Sequence, residues 1–131
     1  MDIKERVLME KLKGHCCSES IIAMFQEDAG RENEELVKAM GAFCGGMREG
    51  LVCGALAAAI SVIFTAAESY EQARDELRPE LMSWFLSRYG SYSCADIIGD
   101  DETRKITYCP IIIEETYCRL IEMLEDAVPF R

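Results

Sequence analysis

Seven cysteines and a single histidine among 131 residues make sulfur the reactive element of this sequence. The thiols are Cys16, Cys17, Cys44, Cys53, Cys94, Cys109 and Cys118. No two of them stand in a C-x-x-C pair and the gaps are long, so the spacing matches neither a zinc ribbon nor a ferredoxin run. Any site they share must be assembled by folding. With His15 as the one histidine, a di-iron Glu-x-x-His bundle or a His-rich metal centre is excluded. His15 beside Cys16 and Cys17 is a poor nucleophilic pair, because sequence neighbours on a helix do not face each other. The glycines between Gly45 and Gly50 lack the lysine and the preceding strand that a phosphate loop or dinucleotide fingerprint requires.

Placement relative to helix ends sorts the thiols. Cys17 falls in the first turn of a helix after Gly14, and Cys53 opens the next apolar run after the glycine-rich turn. Cys94 follows Ser93, a good N-cap, and Cys109 directly precedes Pro110, which suits a helix start. Helix N-termini offer unpaired N–H groups and the positive end of the dipole, which favour thiolate over thiol. Thiolate is the form that attacks, exchanges disulfides or binds metal. Cys17, Cys53, Cys94 and Cys109 are therefore the candidate catalytic residues and candidate metal ligands, with Cys44 a weaker fifth ligand. Cys16 points off its stripe, Cys44 ends a helix where carbonyls disfavour an anion, and Cys118 is mid-helix. These three read as small hydrophobes or tolerated thiols.

The elements that must position these residues are helical. Apolar residues recur at helical spacing in 3–13, 15–28 and 32–43, with Gly14, Gly30 and Gly45 as stops. Residues 51–67 carry no charge, but the run is short for a membrane span, Ala-rich and without a basic flank. It reads as a central core helix, apolar all round because it is buried all round. Residues 69–89 are helical with a kink or restart at Pro79, and a short segment runs from Ser93 to Gly99. Residues 100–107 read as a polar loop with a strand-like stretch at 105–108. Pro110 then opens the last helix, which Pro129 ends. The expected fold is all-α: one domain over 1–131, a bundle of about five to seven helices around the 51–67 helix.

Fourteen basic against 24 acidic residues give a net charge of −10, which repels phosphate backbones and anionic lipid. Nucleic-acid binding and membrane docking are thereby disfavoured. The mixed-charge opening Met1 to Arg6 leads into an amphipathic helix with no apolar leader, which predicts a cytoplasmic protein. In that compartment seven thiols point to metal or redox work rather than to a structural disulfide framework.

Several segments together resemble a family of redox-active proteins named for a C…CGAxxG…C…C pattern. Gly14-His15-Cys16-Cys17-Ser18-Glu19-Ser20 is similar to its G-x-x-C-(S/A)-(Q/E)-(S/A) opening, and Phe43-Cys44-Gly45-Gly46-Met47 to its F-G-G-G-M turn. Cys53-Gly54-Ala55 matches the CGA motif; Cys94 with Ile98 and Gly99, then Cys109, stand where the third and fourth cysteines fall. Two positions depart: Ala58 replaces the glycine closing CGAxxG, and Cys44 replaces a glycine. The resemblance implies a small helical cytoplasmic protein with redox-active cysteines, found beside oxidoreductases or transporters. The expected function is a thiol-based redox or electron-transfer protein, either a disulfide relay or the holder of an iron–sulfur or other metal centre. Its expected partner is an oxidoreductase, and homo-oligomerisation is open. The competing expectation is a non-catalytic helical interaction module with inert thiols.

Overall fold

A computed structural model describes residues 1–127, and the expected end of the last helix at Pro129 lies outside them. The fold is all-α. Its helices are α1 (Ile3–Leu12), α2 (Cys17–Ala29), α3 (Glu34–Met40), α4 (Gly54–Ala66), α5 (Tyr70–Gln72), α6 (Arg78–Tyr89), α7 (Cys94–Ile98) and α8 (Glu102–Ala127). Asp2, Asn33 and Ser93 cap α1, α3 and α7 through side-chain oxygens that accept from backbone amides, as short polar residues at these positions do.

The Ala-rich helix is the centre, as its composition predicts. Small residues let neighbours approach, and α4 packs against α2, α8 and α6 through Ala55, Leu56, Ala58, Ala59, Val62 and Ile63. Phe25 of α2, Phe85 of α6, and Ile113 and Tyr117 of α8 fill the core around it. Burying such a side chain contributes roughly 1.5–3 kcal/mol. The expectation of burial on every side is corrected in one respect: Phe64 and Thr65 are exposed and Ala57, Ile60 and Ser61 half-buried, so one edge of α4 is open. A second anchor is polar. The guanidinium of Arg6 and the hydroxyl of Tyr117 both donate to the Asp28 carboxylate, tying α1, α2 and α8 together.

The restart expected at Pro79 is present: one helical segment ends at Leu77 and α6 begins at Arg78, with Pro79 in its first turn. A wide π segment (Ala73–Leu77) precedes it, and the Arg78 amide reaches back to the Ala73 carbonyl. That wider turn accommodates the missing N–H and the ring of Pro79 in the first turn of α6.

The larger correction concerns α8. It begins at Glu102, so 100–107 is neither a polar loop nor strand-like, and Pro110 lies inside the helix rather than at its start. Asp101 accepts from the amides of Thr103 and Arg104, supplying a cap that outweighs the β-leaning Ile-Thr-Tyr stretch. Pro110 removes the hydrogen bond to the carbonyl of Ile106, and Ile106 is exposed, so water can serve that carbonyl.

Candidate functional site

One cavity of about 660 Å³ opens where the starts of α2, α4 and α7 meet the side of α8. Cys17, Cys53, Cys94 and Cys109 all line it, together with Cys16 and Cys44. Cys118 is exposed on α8 and stays outside, as its mid-helix position predicts.

The local chain explains each placement. Cys17 is the first residue of α2. Cys53 and Cys94 are brought side by side by an isolated antiparallel bridge between Val52 and Ser93. The Cys53 amide donates to the Tyr92 carbonyl at 2.8 Å and the Cys94 amide to the Leu51 carbonyl at 2.6 Å. The same bridge sets the starts of α4 and α7 against each other. Gly54 then lets Cys17 reach Cys53: a Cβ on Gly54 would lie 2.7 Å from the Cys17 sulfur and 2.6 Å from the Phe43 carbonyl oxygen. Only glycine fits that approach.

Cys109 reaches the cavity from the body of α8, one turn after Lys105, which shares the lining with Lys11 and Arg48. Its assignment to a helix start is therefore overturned, although its place in the cavity is not. Asp100, Asp101, Glu102 and Glu49 supply acid to the same rim.

Electrostatics corrects the expectation that helix starts lower these thiols. Burial pushes Cys53 up to about 12, the neighbouring Cys17 adds to the rise, and the amides of Leu56 and Ala55 oppose it without cancelling it. Burial likewise lifts Cys109 to about 11, with Cys17 adding and Lys11 opposing. Cys94 is raised by burial and by Cys17, against Lys105. Desolvation of an anion outweighs a helix N-terminus here, and mutual repulsion reinforces it. At neutral pH these three sulfurs are thiols. Cys17 is the neighbour common to all three rises.

Cys16 and Cys44 are corrected more sharply. They form a disulfide on the cavity wall, with Cα atoms 5.9 Å apart. Cys16 is the N-cap of α2 in extended conformation (φ −84°, ψ −176°), so its direction does not follow from helical projection. Its amide donates to Glu19 Oε1 at 2.9 Å, the return half of a capping box. Cys44 leads into Gly45, Gly46, Met47 and Arg48, all at φ near +60°. This left-handed turn is closed by the Arg48 amide donating to the Cys44 carbonyl at 2.9 Å. Met47 and Arg48 are not glycine, and each residue so placed costs roughly 1–2 kcal/mol.

Among the described residues, the metal-competent group within 4.8 Å of mutual distance is Cys16, Glu19 and Cys44. It includes Cys44, the weaker candidate ligand, and two residues that the helix-start pattern passes over. The available signal was the departure at Cys44 itself, a thiol where the resembled family has glycine. The other departure is inert toward the cavity: Ala58 is fully buried in the core and does not line it.

No helix among the described residues is long and apolar enough to cross a membrane. A family model described as "Putative redox-active protein (C_GCAxxG_C_C)" matches residues 15–123. No curated protein and no solved structure matches the chain.

Proposed function

The chain belongs to that C_GCAxxG_C_C redox-active family, and on this premise we propose that it is a cytoplasmic thiol-based redox protein whose working centre is Cys17, Cys53, Cys94 and Cys109. The observation that carries the reading is the shared cavity: four free thiols from four separate segments line one space. Cys17 is the attacking sulfur, because it is half-buried and Cys53 is almost fully buried. Its thiolate displaces one sulfur of an oxidised partner's disulfide, giving a mixed disulfide and a partner thiolate. Cys53 loses its proton and attacks Cys17, closing a Cys17–Cys53 disulfide and releasing the second partner sulfur. Two cavity thiols are oxidised and one partner disulfide is reduced. Lys11 and Lys105, which favour the anionic form of Cys109, supply positive charge at the same rim. The partner is an oxidoreductase carrying an exposed disulfide.

A second reading keeps the same four ligands and places an iron–sulfur centre among them, where it would supply one-electron transfer. The donor set is chemically suited, four soft sulfurs. As placed, the four sulfurs do not form a single-ion tetrahedron. A tetrahedral zinc with Zn–S near 2.3 Å needs sulfurs about 3.8 Å apart, and no three of these four lie within 4.8 Å of one another.

Anaerobic purification followed by visible absorption, iron analysis and a thiol count separates the readings. The relay predicts a colourless, iron-free protein that reversibly loses a pair of thiols, mapped by peptide mass to Cys17 and Cys53. A coloured, iron-bearing protein supports the cluster. Four unreactive thiols with no metal overturn both and leave a non-catalytic helical module.

A further inference from the structure

The disulfide does not belong to the four-cysteine centre, and its surroundings are built for more than a crosslink. Ser18 is fully buried directly behind it, its Oγ 3.4 Å from Cys16 Sγ and 3.6 Å from Cys44 Sγ. That hydroxyl donates its one proton to the Met40 carbonyl at 2.6 Å. Its lone pairs are thus what the sulfurs meet. A disulfide has no proton to offer them, whereas a reduced thiol does. The wall is therefore furnished for the dithiol state as well as the oxidised one.

Glu19 completes the group. One carboxylate oxygen is fixed by the Cys16 amide, and the other lies over Gly41, where a Cβ would approach it to 3.1 Å. A carboxylate oriented by a backbone amide and set beside two sulfurs is a ligand arrangement with its outer support in place. From these contacts we propose that reduction of Cys16–Cys44 creates a site for a thiophilic divalent cation of the zinc class, held by Cys16 Sγ, Cys44 Sγ and Glu19.

The chemistry balances with a dithiol reductant. The reductant is oxidised to its own disulfide, and its two protons pass to Cys16 and Cys44. The cation then displaces both protons. Two thiolates and a carboxylate carry enough negative charge to hold a divalent ion, and three protein ligands leave a fourth position open. With the Cα atoms 5.9 Å apart, sulfurs can separate to the roughly 3.8 Å of a tetrahedral zinc site by side-chain rotation alone. Oxidation and cation binding are mutually exclusive, so the pair reports thiol poise as occupancy by metal. The site is independent of how Cys17, Cys53, Cys94 and Cys109 work.

The test is a cobalt titration of the full chain, anaerobic and in a phosphine reductant, against the same chain with Cys16–Cys44 oxidised. The reduced protein should take up one further equivalent of Co²⁺, with a thiolate-to-cobalt charge-transfer band and displacement by Zn²⁺. The double variant Cys16→Ser, Cys44→Ser should lose that equivalent, and Glu19→Gln should weaken it by at least about tenfold. Equal uptake by reduced and oxidised protein overturns the proposal. So does a Cys16–Cys44 disulfide that peptide mapping never finds. If the double variant does not fold, Glu19→Gln decides, its helicity checked by circular dichroism: unchanged affinity there also overturns it. Cys17→Ser, which disables the proposed relay, should leave this equivalent in place.

Discussion

Two sulfur groups share one cavity and are held there by opposite means. Cys17, Cys53, Cys94 and Cys109 are gathered over most of the chain, by the Val52–Ser93 bridge, the bare Gly54 and the packing of α8 against α4. Cys16 and Cys44 are fixed locally, by a capping box on one side and a left-handed turn on the other. The first group consists of free thiols, three of them raised by burial; the second is a disulfide with no proton to lose. The quartet thus depends on the fold as a whole, whereas the pair depends on two short segments. Perturbations should separate the two.

The largest expected separation comes from Cys17→Ser. It should abolish reversible oxidation of the quartet, counted as thiols per chain after a disulfide oxidant, while Cys16–Cys44 still forms. Persistent loss of a thiol pair from Cys53, Cys94 and Cys109 would show that Cys17 is not the common partner.

Alkaline pH comes next. Cys53 rises from its ordinary 9.0 to about 12 on folding, so the folded chain binds this proton more tightly than the unfolded chain. Its contribution is therefore fully present below about pH 9 and is lost as pH rises toward 12. Over that window the Cys53 proton alone costs at most about 1.4 kcal/mol of stability per pH unit. Urea midpoints at about pH 8 and about pH 10 should fall accordingly, and Cys53→Ala should flatten the slope. The double serine variant of Cys16 and Cys44 should leave it unchanged, because a disulfide does not titrate.

Much of this was legible before the structure, and what was not has physical reasons. The helical class and the central run were readable because Ala-rich and 3.6-periodic patterns are strong signals over long segments. The start of α8 was not, because Pro110 imitates an N-terminus more strongly than the Asp101 cap announces one. Cys17, Cys53, Cys94 and Cys109 were legible as a set from their order and motifs, whereas their protonation was not. Helix-dipole reasoning ranks positions along a helix and is blind to how deeply the tertiary fold buries them. The direction of Cys16 was not legible either, because an N-cap residue leaves the helical projection altogether.

Gly54→Ala probes the approach of Cys17 to Cys53 directly. The added methyl meets backbone as well as sulfur, and overpacking of this kind costs roughly 1–3 kcal/mol. Alanine's better helix propensity returns at most about 1 kcal/mol. A net loss of about 1–2 kcal/mol in the urea midpoint is expected, with slower quartet oxidation and an unaltered pair. An undiminished quartet rate would mean that the closeness of Cys17 to Gly54 has no part in the exchange.

Met47→Gly should give the smallest effect and the sharpest view of the pair. Met47 sits at φ 62° and is half-exposed, so glycine removes roughly 1–2 kcal/mol of left-handed strain. It also adds about 0.4–1 kcal/mol of unfolded-chain entropy. The net should be a gain of between zero and about 1.5 kcal/mol. What decides its meaning is whether the gain depends on the disulfide. Gly45 and Gly46 adopt positive φ at little cost and the Arg48–Cys44 bond uses backbone atoms alone, so the turn should hold itself and the gain should be equal in reduced and oxidised protein. A gain confined to the oxidised form would mean that the disulfide imposes the left-handed turn, and that the pair is less local than its contacts indicate.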